Sequence, residues 1–95
     1  MYKVVINNCF GGFSVSNEAL ELLIAMGVEV KGKYLDWSFP RHDKRLVEVV
    51  EMLGEKANGF GAKLKICQVD AQGYKINAFD GLESVEWLGD DWVVF

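Results

Sequence analysis

The chain has 95 residues and a mass of 10.7 kDa, which is room for a single domain (1–95) built round one core. Apolar residues make up 51% and charged ones 25%, with one proline, a composition that excludes a disordered chain. A net charge of −4 and a pI near 4.9 exclude broad affinity for nucleic-acid backbone, and no apolar run approaches the roughly 20 residues of a membrane span.

The N-terminus, Tyr2 to Asn7, reads as a strand with Val4 and Ile6 on one face and Val5 on the other, so it is expected to be covered on both sides. It lacks the apolar stretch and small-residue cleavage site of a secretory leader. With two cysteines, this points to free thiols in a reducing cytoplasm. Gly11-Gly12 then breaks regular structure, and Ser16 is placed to cap a helix with Glu18 in its first turn. Ala19, Leu22, Leu23 and Met26 form a core-facing stripe, Leu20 and Ile24 widen it, and Gly27 supplies the stop.

Residues 28–33 are expected to form a short strand, weakened by Gly32, followed by an aromatic connection through Trp37 and Phe39 to Pro40. A second helix opens at Asp43, carries Leu46, Val49, Val50 and Leu53 inward, and ends at Asn58-Gly59, with a weak point at Gly54. From 62 to 69 the chain alternates, with Ala62, Leu64 and Ile66 inward and Lys63, Lys65 and Cys67 on a wet face. Residues 70–73 read as a hairpin turn, Tyr74 to Phe79 as its return strand, Asp80-Gly81 as another turn, and Trp92 to Phe95 as a last edge strand. The order predicts an α+β fold, a small mostly antiparallel sheet with two helices packed on one face.

Two segments invite an anion. A loop with Gly11-Gly12 ahead of a helix start exposes backbone N–H groups, and Ser14 and Ser16 add hydroxyl donors. The spacing is not that of a P-loop or of a dinucleotide fingerprint, and a tight turn plugged by Phe10 and Phe13 explains the glycines equally well. The second segment, Arg41-His42-Asp43-Lys44-Arg45, gathers four of the chain's eleven basic or histidine side chains beside aromatic residues that could stack on a base. A solvated first helical turn is the plainer explanation. If the two helices ran parallel, both starts would open at the same end.

His42 beside Asp43 offers acid–base chemistry, but no serine, cysteine or lysine stands around it in a catalytic motif. Cys9 and Cys67 lack metal-ligand spacing, so no metal and no cofactor is expected. Charge is unevenly shared: residues 1–47 carry +1 and residues 48–95 carry −5. Asp80, Glu83, Glu86, Asp90 and Asp91 form a run without a base, which suits either solubility or a basic groove on another protein.

The stretch Asn7-Asn8-Cys9-Phe10-Gly11-Gly12-Phe13-Ser14-Val15-Ser16 resembles the signature of a family of small phage and prophage proteins. The Arg41-His42-Asp43 helix start and, more weakly, Tyr74 to Asn77 with Asp80 to Glu83 follow in the same order. Lys44 stands where similar proteins often carry proline, and the tail from Trp87 departs from the pattern. The resemblance implies a phage or prophage origin and no particular activity. Together these readings lead to a non-enzymatic phage accessory protein that binds an anionic, nucleotide-like small molecule, such as a host defence signal that it sequesters. Its ligand residues would be Asn8, Phe10, Gly11, Gly12, Phe13, Ser14, Ser16, Trp37, Arg41, His42 and Arg45. The alternatives are an inhibitor that binds a host protein through Asp80, Glu83, Glu86, Asp90 and Asp91, and a small nucleotide-processing enzyme using His42 and Asp43. A homodimer or higher homo-oligomer in the cytoplasm, joined through the apolar last strand, completes the expectation.

Overall fold

The unbroken apolar run at the N-terminus demands cover on both faces, and the fold is arranged to supply it. The structure is a computed structural model that describes residues 2–30, 32, 34–36, 38–69, 73–86 and 93–94. Strand β1 (Tyr2–Asn7) pairs antiparallel with β2 (Leu64–Val69), placing Val5 opposite Ile66 and Val4 opposite Cys67. Facing residues share a side of the sheet. Val5, Leu64 and Ile66 therefore meet helices α1 (Asn17–Ala25) and α2 (Lys44–Leu53) in the main core. Val4, Ile6, Cys67 and Val69 meet a second layer through Tyr74, Ile76 and Val85.

That second layer is a three-stranded antiparallel sheet in the order β4-β3-β5, built from β3 (Gly73–Phe79), β4 (Leu82–Glu86) and β5 (Val93–Val94). The α+β class holds, with both helices on one face of β1–β2. The strands divide between two sheets, because β1–β2 needs its other face covered as well. Residues 70–72, read as a hairpin turn, lie outside the described residues. Among the described residues β2 pairs with β1 while β3 pairs with β4 and β5. The supposed wet face of β2 is consequently dry towards its end, where Val69 is fully buried.

Local signals predicted the helix ends well. The Ser16 hydroxyl accepts from the Ala19 N–H, the Asp43 carboxylate accepts from the Arg45 N–H, and α2 gives way at Gly54 to a 3-10 turn (Gly54–Ala57). Leu46, Val49 and Val50 are buried as their spacing requires, and Val47 with them. Two expectations fail. Val28 and Val30 pack against the core without strand pairing, and Ile24 is 53% exposed, because α1 is covered on one side only. Asp80-Gly81 forms the two-residue hairpin it announces, with Phe79 opposite Leu82 and both turn residues at positive φ (50° and 88°).

The two helices run in opposite directions. Ser16, at the start of α1, donates its N–H to the Ala57 carbonyl (2.8 Å) and its hydroxyl to that of Lys56 (2.6 Å), past the far end of α2. At the other end, Arg45 in the first turn of α2 reaches Gly27, just beyond α1. The helix starts therefore open at opposite ends of the pair, which overturns the shared anion site that parallel helices would have made.

Asn7 ties the layers together. Its side-chain N–H groups donate to the carbonyls of Cys9 (2.8 Å) and Gly81 (2.7 Å), and its amide oxygen accepts from the Lys63 N–H (2.9 Å), while the Cys9 thiol lies between that oxygen (3.4 Å) and the nearer Gly61 carbonyl (3.0 Å). Both amide hydrogens and the amide oxygen of a fully buried side chain are thereby bonded. Around it, backbones touch. A Cβ on Gly11 would overlap the Gly61 carbonyl, and one on Gly81 would lie 2.5 Å from the Gly12 nitrogen. Gly11→Ala is expected to cost roughly 3 kcal/mol or more of stability, since backbone must move to admit it. Gly12→Ala meets nothing within 4 Å and carries only the strain of its φ of +88°, about 1–2 kcal/mol. Urea unfolding of the two variants measures the difference.

Candidate functional site

The residues expected to cradle an anion are spent on holding the fold. Arg41 is 4% exposed and Glu83 9%, and they form a two-pronged ion pair, Nη1 to Oε1 at 2.6 Å and Nη2 to Oε2 at 2.9 Å. Glu83 Oε1 also accepts the Asn7 backbone N–H at 2.7 Å. The Arg41 guanidinium lies 3.6 Å from the centroid of the Phe13 ring, and its backbone carbonyl accepts the Val5 N–H at 2.9 Å. Arg41 thus joins the turn before α2 to β1 and β4, and its charge is answered inside the protein. Phe13 is its stacking partner and not a platform for a base.

The glycine loop has the same explanation. Gly11 admits the Gly61 backbone, Gly81 admits the backbone at Gly12, the Gly11 N–H meets the Cys9 sulfur at 3.5 Å, and Ser14 donates to the Phe60 carbonyl at 3.4 Å. Ser16 is committed at both ends of its hydroxyl, as a cap and as a donor to Lys56. Asn8 is exposed, with its N–H on the Lys63 carbonyl (2.7 Å). Arg45 turns back on Asp43, Nη2 to Oδ2 at 2.9 Å and Nε to Oδ1 at 3.1 Å, away from the glycine loop. Trp37 lies outside the described residues. Of the alternative acidic set, Glu83 is buried on Arg41, Asp80 and Glu86 are exposed, and Asp90 and Asp91 lie outside the described residues.

Of the expected ligand residues, His42 lines a groove. The groove is about 600 Å³ and lies along the face of α2 that carries Lys44, Val47, Glu48 and Glu51, with Tyr2, His42 and Asp43 also in its lining. Lys44 stands at the helix start, with Glu48 and Glu51 further along, and Lys3 from β1 pairs with Glu51 at 2.7 Å. His42 Nδ1 lies 2.8 Å from the Tyr74 hydroxyl, with the two rings edge to face. Burial pushes the Tyr74 hydroxyl above its usual range, opposed by the backbone N–H groups of Arg41 and His42. The phenol stays protonated and can donate to Nδ1, which fixes the ring against the groove wall. Tyr2, Lys3, Lys44, Val47, Glu48 and Glu51 were not foreseen as one site, because β1 meets α2 only in three dimensions.

A second feature lies at the opposite end of the molecule. Phe10, Phe60 and Phe79 are 65%, 104% and 73% exposed, and they belong to the three segments whose glycine backbones pack together. Phe60 was also unforeseen, although Gly59-Phe60-Gly61 on the sequence echoes the motif at 10–13.

The chain matches no family model, no curated protein and no solved structure. Among the described residues no group of three or more His, Cys, Asp or Glu could hold a metal ion, and no helix is long and apolar enough to cross a membrane.

Glu83→Gln leaves the Arg41 charge buried without its counter-charge and is expected to cost about 3–5 kcal/mol in urea unfolding. The double variant Arg41→Met with Glu83→Gln recovers part of that loss, since no charge then remains to be buried. Hydrogen bonds from Arg45 hold the Asp43 carboxyl below its usual range. The unfolded chain therefore takes up this proton first as pH falls below about 4, and the Asp43 contribution, fully present above that pH, is lost. An Asp43→Asn variant should show a shallower fall of urea midpoint with acid.

Proposed function

We propose that this chain is a non-enzymatic binding protein for a small anionic ligand bearing a flat ring, of the nucleotide class, held in the groove along α2. The observation that carries this reading is the order of chemistry along the groove. Its cationic end lies at Lys44 and the start of α2, where a negative group is favoured by the helix dipole. The Asp43 carboxylate at that end is already answered by Arg45. Val47 and the rings of Tyr2 and His42 in the lining suit the face of a base, and Glu48 and Glu51 further along α2 suit the amino groups on its edge. From residue 44 to residue 51 a helix rises about 10 Å, the span from a phosphate to the far edge of a base. The volume lies within the range of small-molecule sites.

On this reading His42 stays in the ligand set, joined by Tyr2, Lys3 and Lys44, while the glycine loop and Arg41 leave it. The resemblance to phage and prophage proteins would make the ligand a host signal that the protein withdraws from circulation. Calorimetry against a panel of linear and cyclic nucleotides should give saturable binding to at least one of them. Lys44→Glu should weaken that binding about tenfold or more, while the exposed Glu86→Ala leaves it unchanged. Absence of heat with every member at millimolar concentration overturns the proposal.

A further inference from the structure

The glycine-packed end of the molecule has no part in the groove and has the properties of an interface. Three segments meet there, 8–14, 58–62 and 79–82, held by Gly11 against Gly61 and Gly81 against Gly12 and the Phe10 carbonyl. They contain one charged residue, Asp80, in a chain that is 25% charged. Charge depletion with exposed aromatic rings is the composition of an interface centre rather than of an ordinary surface. The rings also sit on backbone that cannot easily rearrange, so little conformational freedom remains to be lost when they are covered.

We infer that the occupant of this end is a second copy of the same chain, packed tip to tip about a two-fold axis. Three observations favour it. The exposed parts of Phe10, Phe60 and Phe79 amount to about 500 Å² per copy, taking about 200 Å² for a whole phenylalanine. Two copies would together bury about 1,000 Å², the lower bound for a specific interface, before any backbone is counted. The same surface offers protruding rings and, beside them, the exposed flat backbone of Gly11 and Gly61, so it holds both halves of a fit. A self-complementary patch of this kind is what a two-fold contact requires. Finally, a chain of net charge −4 repels its own copies everywhere except where its charges are sparse, and this end is such a place. Its one charge, the exposed Asp80, has a counterpart of opposite sign in the exposed Lys63 next to segment 58–62. Nucleic-acid bases and anionic lipid are poorer occupants, since segments 8–14, 58–62 and 79–82 contain no lysine or arginine and the whole chain is acidic.

Sedimentation velocity across about 5 µM to about 500 µM brackets the affinity expected of so small an interface. The expected result is a monomer–dimer equilibrium that tightens with added salt as the mutual repulsion is screened. Phe60→Ser and Phe79→Ser should each raise the dissociation constant about tenfold or more. Both positions are solvent-facing, so folding should survive, and circular dichroism checks it. Ile24→Ser, which removes an exposed apolar residue from α1, should leave the equilibrium unchanged. A wild-type chain that stays monomeric throughout overturns the inference, as does a dimer indifferent to Phe60 and Phe79. Flotation of a monomeric chain with phosphatidylcholine vesicles also overturns it, by giving the tip to lipid.

Discussion

The Arg41–Glu83 pair is the interaction on which the arrangement of layers depends. Two opposite charges removed from water must answer each other, and here the pair also recruits backbone from β1. Glu83 takes the Asn7 N–H as well as the guanidinium, while residue 41 exchanges hydrogen bonds with Val5. The edge of β1 that faces away from β2 is thereby occupied by polar partners. A purely apolar contact would allow the second sheet to slide over β1. A two-pronged pair with one further acceptor bond allows one register. Asn7 repeats the principle a few ångströms away with an uncharged group.

This economy explains why the sequence suggests an anion site at the glycine loop. Glycine serves two purposes that look identical in a sequence: it bares N–H groups to a ligand, or it lets another backbone come close. Gly11 does the second, Gly12 supplies a positive φ beside it, and the backbones packed against them, at Gly61 and Gly81, are 50 or more residues away. Arginine is similarly ambiguous. A guanidinium fork suits a phosphate and a buried carboxylate equally, and Arg41 meets Glu83 from another layer.

Legibility in this chain follows the range of the interaction. The caps at Ser16 and Asp43, the inward stripe of α2, the weak point at Gly54 and the Asp80-Gly81 hairpin are all decided within a few residues, and all are where the sequence places them. Even the two-sided burial of β1 could be read from Val4, Val5 and Ile6. The division into two sheets could not, because alternation tells which side of a strand is apolar and not which partner covers it. The groove was half visible: Lys44, Glu48 and Glu51 share a helix face by spacing alone, but Tyr2 and Lys3 arrive from a strand whose position depends on β2. His42 was singled out as a lone histidine, and the groove and Tyr74 give that residue its setting.

The bonds at Asn7 also say something about how the chain is made. Its partners Gly81 and Glu83 are 74 and 76 residues further on, so the Asn7 end of that polar edge, beyond the bonds Val5 makes to Arg41, stays open until residues past 80 have been made. Contacts of such separation carry a heavy loop-closure cost and form slowly. During synthesis β1 therefore waits, its Val4 and Ile6 face bare, for the strands of the second sheet. It is the segment from which premature pairing with another strand, and dependence on a holding chaperone, would arise.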